Sequence, residues 1–290
     1  MASINDIKSR IQNVKQTEKI LRAMYLMSSI NLGKIRDKQR ETKKLFDKIR
    51  FCILDIIERS EDIDSIYFER SIKKEEEKQK IYLILTGDNG LAGGYNHNII
   101  KAVDSYITDT YNSKLLIAGY MGKKLIKKEK YQIDEKYDYF VHNPTILRAK
   151  EMTERFLQMY NDHDMDELYV IYTDMISSFK QEVKRVKLLP IDITDLEEEI
   201  KRDKKPNSKI LIKYEPSPSA VFDSLIPLYL RGVIYSLLVD AYASEQSARV
   251  VAMNSATSNA KKLIKRLKID YNKQRQDNIT KEIIEVTSHD

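Results

Sequence analysis

The C-terminal part of the chain carries a long repeat of apolar side chains that sets the first constraint on the fold. Alternating steps of four and three residues from Tyr229 reach thirteen positions as far as Tyr271, and nine of them are apolar. A repeat of about 3.5 residues is typical of a helix that packs along its length against another helix. Because no proline lies within residues 228–286, the segment predicts one helix about 87 Å long, which needs a long partner.

The N-terminal segment shows the same repeat and can supply that partner. Sixteen positions from Ile4 to Ile56 follow the alternating steps, and twelve of them are apolar. If the first helix ends near Ile57, beside the start of the last helix near Pro218, the pair is antiparallel and facing residues have numbers that sum to roughly 275. The sequence therefore predicts a long antiparallel two-helix coiled coil built from the two ends of the chain.

Beyond Tyr271 the apolar face of the last helix changes. The old repeat positions become polar at Gln274, Asn278 and Lys281. Apolar residues appear instead at Ile279, Ile283, Ile284 and Val286. Since the first helix has run out by this point, we expect the last turns to project as a lone helix whose apolar face is buried against another molecule.

The middle of the chain, residues 58–219, has a different pattern in which strands alternate with helices. Predicted strands lie in the segments IYLIL and LLIAG, and a third strand ends at Pro144 in YDYFVHNP. A helix spans 145–160, and LYVIYTDM and VKRVKLLPI form two further strands joined by a hairpin. This alternation predicts a small α/β, Rossmann-like domain with a mostly parallel sheet. The fold class is therefore mixed, with three predicted parts at 1–57, 58–219 and 220–290. The charged run LEEEIKRDKKPNSK is a predicted mobile loop.

Charge and composition narrow the possible partners and compartments. The net charge is +6, and residues 1–57 carry 13 Lys+Arg against 6 Asp+Glu, so an acidic partner is expected at the N-terminal segment. The uncharged apolar runs are too short to span a bilayer, and no signal-peptide pattern follows Met1, which predicts a cytoplasmic location without membrane insertion. Cys52 is the single cysteine, which excludes an internal disulfide, and its apolar neighbours predict a core position.

The glycine cluster at residues 87–94 is the strongest candidate for a ligand site, but its spacing does not fit one. A phosphate loop needs G-x-x-x-x-G-K-[ST], whereas the sixth position from Gly87 is Ala92; G-x-G-x-x-G is also absent. We interpret the cluster as a strand-to-helix turn or a contact surface. The four histidines lack metal-ligand spacing, and G-x-S-x-G and HExxH motifs are absent. No catalytic, cofactor or metal site is predicted. A nucleic-acid-binding coiled coil and a nucleotide-using enzyme stay open as alternatives.

Four segments of the sequence carry a resemblance to a known family. They are IKSRIQNVKQTEKILRAMYLMSS, LTGDNGLAGGYNHNI, ISSFKQEVKRVKLLPI and ASEQSARVVAMNSATSNAKKLIKRLKIDYNKQRQDNITKEI. The chain resembles the gamma subunit of F-type ATP synthases over essentially its whole length. The resemblance implies a central rotor shaft inside a ring of three alpha and three beta subunits. It also implies that the α/β domain sits on the membrane rotor ring beside the epsilon subunit, at the cytoplasmic face of a bacterial plasma membrane.

The resemblance also implies partner contacts at three groups of residues. Met24 and Arg249, whose numbers add to 273, match residues that face the acidic lever loop of the beta subunit. The polar residues that match a catch-loop contact are Arg275, Gln276, Thr280 and Glu282. The apolar residues expected to turn in a collar of alpha and beta subunits are Ile279, Ile283, Ile284 and Val286. The chain departs from the family pattern at residues 25–33, where a basic, alanine-rich stretch is usual, and at Asn89 and Ala92.

Overall fold

A computed structural model of the chain describes residues 4–60, 63–68, 74, 77–177, 180–192 and 213–287, except the side chains of residues 282, 285 and 286. The helices are α1 (Ile4–Arg59), α2 (Tyr95–Tyr106), α3 (Tyr120–Leu125), α4 (Ile146–Asn161) and α5 (Pro218–Thr287). The strands are β1 (Lys80–Leu85), β2 (Ser113–Ala118), β3 (Gln132–Ile133), β4 (Glu167–Met175) and β5 (Gln181–Leu189). The predicted mobile loop, residues 196–209, lies outside the described residues.

The chain divides into two compact units. The first, which we call the two-helix unit, comprises residues 1–31, 91–93 and 246–290. The second, which we call the α/β unit, comprises residues 32–90 and 94–245. The helices α1 and α5 therefore each contribute residues to both units, whereas the sheet belongs to the α/β unit alone.

The burial pattern of the long helices confirms the predicted apolar repeat. All sixteen repeat positions of α1 from Ile4 to Ile56 are buried or half-buried. On α5, twelve of the thirteen positions from Tyr229 to Tyr271 are buried or half-buried, and Ser236 is exposed. The helix begins earlier than the proline-free segment, at Pro218, and continues past an internal proline at residue 227.

Contacts within the α/β unit confirm the antiparallel pairing but correct its register. Gln39 Nε2 donates a hydrogen bond to Asp240 Oδ1 over 2.9 Å, and these two numbers add to 279. A side chain at Gly232 would collide with the ring of Phe46, and these numbers add to 278. The predicted sum of roughly 275 is wrong by about one helical turn, because α1 extends beyond Ile57 to its end at residue 59.

The correct register was present in the sequence. When the α1 repeat is reversed, its positions align with those of the α5 repeat if the numbers of paired residues add to 278. In this alignment Ile49 matches Tyr229 and Ile4 matches Gln274. In the two-helix unit, Ile4 is the first half-buried position of α1 and Gln274 is the last half-buried position of α5. Matching whole repeats is more accurate than matching helix ends, since ends are the least predictable part of a helix.

The sheet of the α/β unit has the strand order β3-β2-β1-β4-β5. The first four strands are parallel, and β5 pairs antiparallel with β4. This confirms the predicted mostly parallel sheet. The predicted third strand ending at Pro144 is wrong: Tyr139 forms only an isolated bridge to Ala118. The carboxylate of Asp88 accepts the backbone N–H groups of Val141 and His142, so a side chain replaces the strand ladder there.

Two further sequence expectations change with the structure. Cys52 is exposed rather than in the core, because the neighbouring repeat positions Ile49 and Ile53 take the inner face of α1. Helix α5 also contains an 18-residue stretch with a mean hydropathy of 1.4, apolar enough by composition to cross a membrane, and 44% of that stretch is buried within the protein. A core helix of a soluble protein meets the same criterion, so this stretch is weak evidence for a membrane span.

Candidate partner-binding surfaces

The last turns of α5 expose an apolar face. Ile279, Ile283 and Ile284 have 46%, 57% and 58% of their surface accessible. The side chains of Glu282 and Val286, which were also predicted to contact partners, lie outside the described residues. Within the two-helix unit, half-buried positions end at Gln274. The apolar residues of α5 therefore change face, after Gln274 instead of Tyr271, and the three isoleucines stay exposed among the described residues.

The polar residues beside this apolar face are also accessible. Arg275, Gln276 and Thr280 are exposed. The Thr280 hydroxyl donates to the Gln276 carbonyl oxygen over 2.9 Å, a bond within its own helix. Such a bond leaves the hydroxyl oxygen able to accept a second hydrogen bond from outside. The guanidinium of Arg275 and the amide of Gln276 can recognise carboxylate or carbonyl groups on a partner.

The other predicted contact residues, Met24 and Arg249, are less accessible. Met24 is half-buried on α1, and Arg249 is only 6% exposed on α5. Their numbers add to 273, five short of the sum that relates the two apolar repeats. The structure places both residues in the two-helix unit, and their contact with a beta subunit stays a prediction.

The structure adds an apolar surface that the sequence analysis missed. Ile20, Leu26, Met27 and Ile30 on α1 are each more than half exposed, at 61%, 51%, 65% and 56%. At about 100° per residue these side chains lie opposite the buried repeat. The signal in the sequence was a helix that is apolar on both faces over three turns, which is typical of a helix buried on both sides.

The glycine turn after β1 is held by side chains of the α/β unit. Asn96 Oδ1 accepts the backbone N–H of Gly87 over 2.8 Å. The Asp88 carboxylate accepts backbone N–H groups from Tyr120, Val141 and His142 over 3.3, 2.9 and 2.7 Å. In a phosphate loop, the N–H groups of the turn itself would face the phosphate. Here Asn96 accepts the Gly87 N–H and the Asp88 carboxylate ties the turn to neighbouring backbone, which supports the interpretation as a structural turn.

One half-buried acid in the α/β unit, Asp240, has a strongly shifted pKa. Burial raises the pKa of Asp240 to about 6, and the neighbouring Asp174 carboxylate adds to the rise. The hydrogen bond from Gln39 and the positive charge of Lys184 act in the opposite direction but do not cancel it. Asp174 itself is paired with Lys184, whose Nζ lies 2.6 Å from its carboxylate. Asp240 is therefore the acid of this cluster without a full counter-charge beside it.

The helices, the sheet and the exposed surfaces together define a class of protein. The two-helix unit pairs segments from the two ends of the chain and exposes apolar and polar side chains, and the α/β unit contains the sheet. Among the described residues, no group of three or more His, Cys, Asp or Glu side chains could hold a metal ion. The geometry favours a chain that acts through partners.

Comparisons with known proteins agree with this class and identify the family. A family model described as ATP synthase matches residues 3–289. The ATP synthase gamma chain of Ruminiclostridium cellulolyticum is 42% identical over 286 residues, which cover 98% of this chain and 96% of the relative. That of Acetivibrio thermocellus is 38% identical and covers 99% and 97%. The chain belongs to the ATP synthase gamma chain family.

A solved structure agrees with the fold. A chain of the Euglena gracilis mitochondrial ATP synthase, in a cryo-EM structure of its OSCP, F1 and c-ring in rotational state 3, superposes with a TM-score of 0.63 at 15% identity. The match covers 99% of this chain and 93% of that chain. At this identity the likeness concerns the fold alone, including the long helices and the α/β unit.

Proposed function

We propose that the chain is the central rotary shaft of an F-type ATP synthase. In this role it couples ion-driven rotation of a membrane ring to conformational changes at the catalytic sites of the beta subunits. The observation that carries the proposal is the 42% identity to an ATP synthase gamma chain over nearly the whole length of both chains. The uncovered isoleucines at the end of α5 support it, because a lone apolar helix tip needs a partner.

The proposed partners are three alpha and three beta subunits, an epsilon subunit and the membrane rotor ring. The apolar tip at Ile279, Ile283 and Ile284 would turn in a collar of alpha and beta subunits. The basic N-terminal segment would be attracted to acidic loops of the ring. The complex would lie at the cytoplasmic face of a bacterial plasma membrane, and the chain would be attached to the membrane only through its partners.

The proposed mechanism is a sequential shift of conformational equilibria. An asymmetric shaft inside a threefold ring presents a different face to each beta subunit. Because the shaft binds the conformations of a beta subunit with different free energies, each position of the shaft favours a different nucleotide affinity at each site. The chain itself needs no catalytic residue or cofactor in this mechanism.

Reconstitution with alpha and beta subunits tests this role most directly. A stable complex whose ATPase activity depends on the chain is the expected result. The rotor proposal fails if no complex forms or if the ATPase activity is the same with and without the chain. The wild-type complex, placed with its membrane ring in vesicles, should generate a membrane potential when ATP is added.

The predicted contact residues can be tested in the same assay. Arg275→Ala combined with Gln276→Ala should weaken assembly or ATP synthesis in vesicles, because both side chains are exposed beside the apolar tip. Glu282 and Val286, with Thr280, Met24 and Arg249, complete the proposed contact set. ATP synthesis equal to that of the wild type would count against this assignment.

The two alternative functions make opposite predictions. A nucleic-acid-binding coiled coil would bind duplexes tightly at low salt and lose this affinity steeply as salt rises. A nucleotide-using enzyme built on the glycine turn would bind nucleotide in a saturable way that mutation of Gly90 abolishes. We expect neither for the isolated chain.

A further inference from the structure

Helix α5 is buried within the α/β unit along residues 237–245. All residues from 237 to 245 are buried there except the half-buried Asp240. A helix buried on every side usually presents apolar side chains, yet this stretch includes Ser244 and Glu245, which are 0% and 1% exposed. We call residues 240–245, together with the groups that contact them, the joint.

Two hydrogen bonds tie the joint to the sheet. The Ser244 hydroxyl donates to the Thr173 carbonyl oxygen on β4 over 2.9 Å. The side-chain amide of Gln181 on β5 donates to the Ser244 carbonyl oxygen over 2.7 Å. One residue of α5 is therefore bonded to two neighbouring strands at once.

Two more hydrogen bonds tie the joint to the helices of the α/β unit. The Tyr95 hydroxyl at the start of α2 donates to the Ala241 carbonyl oxygen over 2.9 Å. The Gln39 amide on α1 donates to the Asp240 carboxylate over 2.9 Å. These bonds reach α5 from elements other than the sheet, so the helix is tied from several sides.

The glycine turn after β1 completes the joint. A Cβ atom at Gly87 would lie 3.0 Å from the Glu245 carboxyl group and 3.1 Å from Asn96 Oδ1. A side chain at this position would push the Glu245 and Asn96 side chains away by a few tenths of an ångström, so the glycine permits this close packing. This contact gives a structural reason for a glycine at residue 87, where no phosphate-loop motif is present.

The kind of contact matters for a helix that transmits force. Apolar contacts are non-directional, and a close-packed apolar surface resists sliding through the shapes of its side chains. Hydrogen bonds need defined distances and angles, and they are electrostatically stronger in a buried site. The side chains of residues 240, 244 and 245 cover about 140° of the helix circumference. The joint therefore resists rotation of α5 about its own axis.

We infer that the joint transmits torque between the α/β unit and the long helices, with Tyr95, Gln181 and Ser244 as its positioning residues. This inference rests on the proposed rotor function. The three residues contact no substrate or nucleotide in this role. They act by keeping α5 in a fixed orientation inside the α/β unit. When the α/β unit rotates, α5 therefore rotates with it.

The test is the triple variant Tyr95→Phe, Gln181→Ala and Ser244→Ala in the complete complex, reconstituted into vesicles. The readout is the membrane potential generated per ATP hydrolysed, followed with a voltage-sensitive dye. We expect ATP hydrolysis within about twofold of the wild type and at least a twofold loss in potential per ATP. A merely structural role would lower ATP hydrolysis and membrane potential in proportion, since less complex would be present, and would leave the potential per ATP unchanged.

A matched control removes hydrogen bonds of the same kinds that do not involve α5. It combines Gln79→Ala, Tyr106→Phe and Thr153→Val, whose side chains bond to Asn112, Val183 and Ala149 within the α/β unit. The control should keep the wild-type potential per ATP. The inference is overturned if the joint variant keeps that ratio too, or if the control loses it equally.

Two outcomes need separate treatment. If the triple variant does not assemble, Tyr95→Phe alone is compared with Tyr106→Phe, and equal ratios overturn the inference. If wild-type vesicles generate no potential on addition of ATP, the proposed rotor function fails. Because the joint is intact in the wild-type chain, this failure is distinct from a failure of the inference about the joint.

Discussion

The two units of the chain differ in how they use charge. The two-helix unit carries 14 Lys+Arg against 7 Asp+Glu, whereas the α/β unit carries 36 against 37. The two-helix unit is therefore strongly basic, at +7, and the α/β unit is close to neutral, at −1. A basic surface attracts acidic partners over a distance. The net positive charge of the chain thus lies in the two-helix unit, which also carries the exposed isoleucines of the tip.

The units also differ in how they use hydrogen bonds. In the two-helix unit, the hydroxyls of Thr17, Thr257 and Thr280 each donate to the carbonyl four residues earlier on their own helix. In the α/β unit, side chains such as Tyr95, Gln181 and Ser244 bond to other elements. The two units thus differ in that these hydroxyls of the two-helix unit bond within their own helices, whereas the α/β unit also uses polar side chains to hold its elements together.

The largest expected effect concerns the exposed tip of the two-helix unit. Replacing Ile279, Ile283 and Ile284 with Ser should weaken assembly with alpha and beta subunits at least a hundredfold, since a buried isoleucine contributes about 1.5–3 kcal/mol. The melting temperature of the isolated chain should hardly change, because these side chains are exposed. Analytical size exclusion and thermal melts measure the two effects. Unchanged assembly would contradict the proposal that the tip of the two-helix unit binds partner subunits.

The next effect tests the close packing of the α/β unit. Gly232→Ala should lower the free energy of unfolding by about 1–3 kcal/mol, because the new methyl group meets the ring of Phe46. The matched control is Gly33→Ala, where nothing lies within 4 Å of the new Cβ. That change should stabilise the helix by about 0.5–1 kcal/mol. Equal effects of both substitutions in urea denaturation would contradict the packing described for α1 and α5.

A pH dependence tests the half-buried acid of the α/β unit. The pKa of Asp240 is about 6, above its ordinary value of 3.8. The folded state therefore holds this proton more tightly than the unfolded state, and stability due to this group falls as pH rises from about 4 to about 6. Asp240→Asn should be about 1–3 kcal/mol more stable than the wild type at pH 7.5 and no more stable at pH 4. A difference independent of pH would rule out this cause.

The smallest expected effect concerns Cys52. Because its side chain is exposed, Cys52→Ser should change the free energy of unfolding by less than about 0.5 kcal/mol. A maleimide should label the native wild-type chain within minutes. Protection of this thiol until the chain unfolds would support the original core prediction instead.

The sequence predicted most of the helical architecture because a repeat is a property of many residues at once. One repeat position, Ser236, is exposed in the structure, but a single exception does not change the prediction of a long helix pair. The change of apolar face near the end of α5 was also predicted, although half-buried positions continue to Gln274 instead of ending at Tyr271. Predictions that depended on one residue or one helix end were weaker, as the register estimate and the position of Cys52 show.

The third predicted strand failed for a different reason. Alternation of apolar residues at Tyr137, Tyr139 and Val141 matches a strand, and these side chains do face the interior. The backbone, however, is bonded by the Asp88 carboxylate, which is 53 residues away from Val141 in the chain. A local pattern cannot indicate which distant group will satisfy a backbone N–H.

The sequence by itself determined the two long helices, the alternation of strands and helices between them, and the apolar face of the tip, because each follows from periodic patterns of neighbouring residues. Only the tertiary structure decided the joint. Its contacts bring Gln39, Gly87, Tyr95, Thr173 and Gln181 to one stretch of α5. No sequence pattern links these residues, and hydrogen bonds between distant segments depend on positions that the complete fold alone defines.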